Sequence, residues 1–115
     1  MRGIEQSAAG LDGEVRRVLE FGLTQAQQVA VNKELISTER LMTNDDGLPR
    51  RPWFRHQVYA PGFYTGYGVK TLPGIREAIE QRNWDEATEQ IELVAEMLIR
   101  VSGALERAVR ILEGN

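Results

Sequence analysis

Near the end of the chain, apolar residues recur at Ile91, Val94, Leu98, Val101, Leu105, Ala108 and Leu112, with alternating steps of 3 and 4. Because 3.6 residues complete a helical turn, that rhythm lines them up on one side of an α-helix as a knobs-into-holes seam, and it predicts a helix over 84–112. Asn83 can cap it, with Glu86 three residues on. Asp85, Glu86 and Glu89 crowd its first turns and Arg100, Arg107 and Arg110 its later ones, matching the helix dipole. A second apolar stripe, Leu93, Met97, Ala104 and Ile111, lies to one side of the seam, and Ala95 and Ile99 lie to the other. A helix apolar most of the way round is buried on more than one side. Either it is central within its own copy or a second copy covers it. The second alternative predicts Met97, Ala104 and Ile111 at an interface between copies.

The first half of the chain has the same character. Ile4, Ala8, Leu11, Val15 and Val18 are spaced for a helix over 4–20, which Gly10 and Gly13 weaken by about 1 kcal/mol each relative to alanine. Gly22 suits a left-handed stop. Thr24 with Gln27 forms a capping box that opens a helix over 24–43; a single helix running through Gly22 is the alternative. Val31, Leu35, Thr38 and Met42 share one of its sides. Further on, Pro73 at a first helical position, followed by Ile75, Ala78 and Ile79, predicts a short helix over 74–82. These elements predict an all-α four-helix bundle.

Residues 44–73 break the pattern. They open on the turn cluster Asn44-Asp45-Asp46-Gly47 and hold all four prolines and six of the eight aromatics. A flexible linker is rich in glycine and serine and poor in aromatics. A long loop carrying side chains that bury about 150–250 Å² each is one that docks against something.

Composition narrows the chemistry. The 115 residues suit one domain, and a formal charge of −3 offers no global basic field for nucleic acid; Arg50, Arg51 and Arg55 among aromatics are too few to make an RNA platform. No apolar run reaches the ~20 residues that cross a bilayer, so no membrane contact is expected of this domain, and no signal-peptide pattern opens the chain. With no cysteine and a single histidine, the chain cannot build a hydrolytic zinc site or a Ser-His-Asp triad together with one. Catalytic residues and cofactors are therefore not expected within it. His56 is better suited to holding loop backbone through its ring nitrogens than to acting as a base. Tyr64-Thr65-Gly66-Tyr67-Gly68-Val69-Lys70 sets hydroxyls and one lysine between glycines, which lets backbone approach a ligand closely while tyrosine and lysine can grip a carboxylate. Its spacing is not that of a phosphate loop.

The runs Glu39-Arg40, Gly47-Leu48-Pro49, Arg51-Pro52-Trp53-Phe54-Arg55-His56, Val58-Tyr59-Ala60-Pro61 and Leu72-Pro73-Gly74-Ile75 together resemble the C-terminal helical domain of glutamate carboxypeptidases and the transferrin receptor. The resemblance extends over residues 28–112. It implies a single helical dimerisation domain over 1–115, part of a three-domain parent that is exported or membrane-anchored, with this domain extracytoplasmic. In the peptidase members the zinc ions belong to a separate peptidase domain, absent here, so the resemblance implies two partners: a second copy of the chain and that peptidase domain. It also implies that a loop of this domain reaches the substrate pocket, where a Lys-Tyr pair holds a carboxylate of a C-terminal glutamate. The tyrosine falls on Tyr67. The lysine position is Gly66, so Lys70 is the candidate replacement. Arg55, His56, Tyr59 and Pro61 are the expected structural residues of the loop, and residues 62–70 are expected to be exposed or disordered without the peptidase domain. The transferrin receptor, which is not a peptidase, has a shorter loop here, and a non-catalytic relative of it is the alternative parent. A free-standing helical adaptor is a third reading. Met1, so close to a weak first helix, suggests a boundary inside a longer protein.

Overall fold

The computed structural model describes residues 2–63 and 68–114. Helices dominate: α1 spans Arg2–Phe21, α2 Gln25–Leu41, α3 Pro73–Glu80 and α4 Trp84–Leu112. Between α2 and α3 lie two short strands, β1 (Tyr59–Pro61) and β2 (Val69–Thr71), paired antiparallel with Ala60 opposite Lys70. The chain divides into two compact units, Met1–Leu41 with Leu98–Asn115, and Met42–Met97.

In the first unit, Gly22 adopts φ +77° and its amide donates to the Val18 carbonyl at 2.7 Å, so α1 and α2 are separate helices. The capping box forms in both directions, the Thr24 amide donating to Gln27 Oε1 at 3.0 Å and the Gln27 amide to Thr24 Oγ1 at 3.1 Å. Gln27 Nε2 also donates to the Ile111 carbonyl at 3.2 Å, and Arg17 donates to the Leu112 carbonyl, so two helices satisfy the last carbonyls of α4. Val31, Ala108 and Leu112 form the core here, with Leu11, Val18, Leu23 and Ile111 packed around them. The buried residue of α1 is Ser7, whose hydroxyl meets Ser102 Oγ at 2.7 Å and donates to Glu106 Oε1 at 3.1 Å. The apolar rhythm missed this polar contact.

In the second unit α2 has already ended. The Gln57 amide donates to the Met42 carbonyl at 2.8 Å and Thr43 bridges to His56, so two residues assigned to the helix pair with the loop instead. A tight turn follows: the Leu48 amide donates to the Phe54 carbonyl, and the Arg51 amide to the Leu48 carbonyl, both at 2.9 Å. Gly47 enters it at φ +74°, where a Cβ would collide with the Pro52 backbone. Left-handed geometry alone costs a non-glycine residue about 1–2 kcal/mol. Gly47→Ala is expected to lose about 2 kcal/mol or more in urea unfolding, because backbone, unlike a flexible side chain, does not step aside; a loss under about 0.5 kcal/mol would refute it. Leu72 at φ +46° turns the chain into α3, and Arg82 at φ +58° closes it, two residues past its last helical residue. Asn83 Oδ1 then accepts the Glu86 amide at 3.2 Å and opens α4.

The second stripe of α4 is placed differently from the interface expectation. Met97 and Ala104 are 1% and 0% exposed within a single copy, and Ile111 is half-buried against the core. The buried line of α4 runs through Met97, Val101, Ala104, Ala108 and Leu112, partly on each stripe.

Candidate functional site

The loop owes its position to an ion pair buried in the second unit. α3 turns Pro73, Gly74, Glu77 and Ala78 inward, which brings a carboxylate into the interior. Glu77 Oε2 accepts Arg51 Nη2 at 2.6 Å, and both side chains are 5% exposed. Glu77 Oε1 accepts the Phe63 amide at 2.8 Å, while Arg51 Nη1 donates to the Pro61 carbonyl. Neither buried charge is left without an opposite charge, and each binds loop backbone as well. The Phe63 ring lies 5.6 Å from the Arg51 guanidinium and 5.8 Å from that of Arg50. Arg50, at φ +63°, is steadied by Glu86 through bonds of 2.9 and 3.2 Å. Finally the Gly62 amide donates to the Gly68 carbonyl at 2.8 Å, closing the loop at its base just beyond the Pro61–Val69 pair.

The sequence-predicted site residues fall unevenly around this root. Tyr67 and Gly66 lie outside the described residues, as does most of the segment expected to be exposed. Of that segment, Gly62 is buried, Phe63, Gly68 and Val69 are exposed, and Lys70 is half-buried. Lys70 sits on β2 with its ammonium against Glu80, which Arg76 also reaches at 3.2 Å. The Lys70 hydrogen bond, with help from Arg76 and against some desolvation, holds the Glu80 carboxyl below its ordinary range. His56 Nδ1 accepts the Val58 amide at 3.2 Å, and its ring stacks 4.2 Å from that of Tyr59. Arg55 is exposed and 4.0 Å from Asp45, and Pro61 supplies the carbonyl that Arg51 holds. The apolar spacing of α3 does not reveal Glu77: of Ile75, Ala78 and Ile79 only Ala78 is buried, Ile79 is exposed, and the buried side of the helix is Pro73, Gly74, Glu77 and Ala78. Among the described residues, no three metal-ligating side chains converge, and no helix is long and apolar enough to cross a membrane.

The first unit carries a different feature, an apolar groove of about 410 Å³ lined by Leu11, Val15, Val18, Leu19, Leu23 and Leu35, among others. Leu19 on α1 is 82% exposed and Ile36 on α2 is 65% exposed, with Phe21 and Val29 also open to solvent.

The family model of the transferrin receptor-like dimerisation domain matches residues 4–106. A probable glutamate carboxypeptidase of Arabidopsis thaliana, LAMP1, is 37% identical over 84 residues, covering 73% of this chain and 12% of the relative. Another from Arthroderma benhamiae is 38% identical over 66 residues, 57% of this chain and 9% of the relative. A third, VP8 of Zea mays, is 29% identical over 85 residues, again 73% of this chain and 12% of the relative. The chain thus spans about an eighth or less of the length of these relatives.

Proposed function

This chain belongs to the transferrin receptor-like dimerisation domain family, and from that membership we propose that it joins two copies of a glutamate carboxypeptidase-like parent and lends the β1–β2 loop to the parent's substrate pocket. The observation that carries the pairing is the apolar surface of the first unit, where Leu19, Phe21, Val29 and Ile36 stand in solvent, Leu19 lining a groove of leucine and valine and Val29 and Ile36 lining a second cleft on α2. Burying one such side chain completely is worth about 1.5–3 kcal/mol, so four of them, doubled by a two-fold axis, supply a gain of the same order as the roughly 4–15 kcal/mol cost of association. Side chains already covered in one copy, Met97 and Ala104, have no surface left to offer a second.

In the parent, catalysis and zinc belong to residues outside this chain, which contributes no catalytic group of its own. Within the loop, Tyr67 is the proposed carboxylate ligand; Lys70 would have to leave Glu80 to assist it. The relatives' names favour this parent over a non-catalytic one.

Sedimentation tests the pairing. The protein is expected to sediment as a dimer, and Leu19→Glu with Ile36→Glu is expected to weaken association at least 100-fold while leaving helical circular dichroism intact. An unchanged dimer in that variant would remove this face from the interface.

A further inference from the structure

Two strands of three residues do not hold a loop by themselves, since a lone two-stranded hairpin is marginal in water. Here the exit of the loop is fixed at consecutive residues: Arg51 holds the Pro61 carbonyl, the Gly62 amide is tied to Gly68, and Glu77 holds the Phe63 amide. Arg50 and Arg51 also lie within 6 Å of the Phe63 ring at 5.8 and 5.6 Å. Stability alone does not call for a buried ion pair, because apolar residues of the same volume often serve as well or better. What the charged pair adds is direction. A planar guanidinium and a two-oxygen carboxylate can bind a backbone carbonyl and a backbone amide two residues apart and each other at once, leaving the exit one orientation.

We propose that Arg51 and Glu77 are positioning residues of the parent's substrate pocket, setting where the β1–β2 loop leaves the domain and so how its tip meets a substrate carboxylate. This rests on the reading of that loop as a pocket wall. Neither residue is catalytic. The pair acts through Pro61 and Phe63, and the cost of losing it falls on substrate binding rather than on bond cleavage.

The test uses the full-length protein and a peptide ending in glutamate. Glu77→Gln, which keeps an acceptor but not the charge that orients Arg51, is expected to raise KM about tenfold with kcat within twofold. Phe63→Leu leaves the ion pair in place and, being at an exposed site, folds even if Glu77→Gln does not; it is expected to raise KM in the same sense. Amide exchange at Phe63 should quicken at least tenfold in Glu77→Gln while that of Val101 stays unchanged. Equal losses in kcat and kcat/KM, or an unmoved KM in both variants alongside a raised KM in Tyr67→Phe, would overturn the positioning role. An unmoved KM in Tyr67→Phe together with unmoved KM on deleting residues 64–67 would instead overturn the pocket-wall reading, and the proposal with it.

Discussion

Glu77→Ala is expected to cost about 3–5 kcal/mol, because it leaves the Arg51 guanidinium buried without its counter-charge and the Phe63 amide without its acceptor. That is a large part of the roughly 5–15 kcal/mol that holds a domain of this size together. The loss comes from stranding a charge, so it should shrink when both charges go. Arg51→Met with Glu77→Leu is expected to fall within about 1–2 kcal/mol of the parent sequence, despite two substitutions. An exposed pair sets the contrast. Arg16 and Asp12 approach to 3.1 Å with side chains 80% and 64% exposed, and Asp12→Ala there is expected to change stability by at most about 0.5 kcal/mol. Urea unfolding followed by circular dichroism measures all three. If Glu77→Ala cost no more than Asp12→Ala, the Arg51 charge would be reaching water, and the loop root would not be the closed structure described.

How much of this could be read from the residues depends on the length over which a signal repeats. The seven-position seam of α4 spans six turns, and its helix runs over the predicted residues. The Thr24–Gln27 box and the Asn83 cap were legible because each is a short pattern with one geometric meaning, and Gly22 because few residues tolerate its φ. The strands were not. Three residues are too few for alternation to show, and Val58-Tyr59-Ala60 alternates no more clearly than the rest of the loop. The end of α2 shifted for a related reason: Met42 continues the apolar side of the helix and no breaker precedes Asn44, yet the backbone of Met42 and Thr43 pairs with residues about fourteen positions on, a pairing no local pattern records. At the candidate site, Arg51 stands inside the Arg-Pro-aromatic run but nothing in that run singles it out from Arg50 and Arg55, while Glu77 stands on a short helix whose interior face is Pro73, Gly74 and Ala78 rather than the aliphatic residues that advertise a core.

Met97 decides between the two readings of the α4 stripe, since spacing alone allows it to be core or interface. Its side chain is 1% exposed in a single copy and, among the described residues, is one of the two bulkiest that are fully covered, Pro73 being the other. Met97→Ala is therefore expected to cost about 2–5 kcal/mol through reduced burial and the cavity left behind. The cost should be the same at protein concentrations low enough to leave only single copies, because everything that covers Met97 belongs to its own chain. Met97→Glu places an unpaired carboxylate in the same space and is expected to abolish cooperative unfolding altogether. Were Met97 an interface residue, Met97→Ala would leave the dilute monomer's unfolding untouched and act only on the sedimentation equilibrium, as Leu19→Glu with Ile36→Glu is expected to do. The two pairs of measurements thus exchange signatures between readings: concentration-independent destabilisation marks a side chain the chain covers itself, and concentration-dependent dissociation marks one it reserves for a second copy.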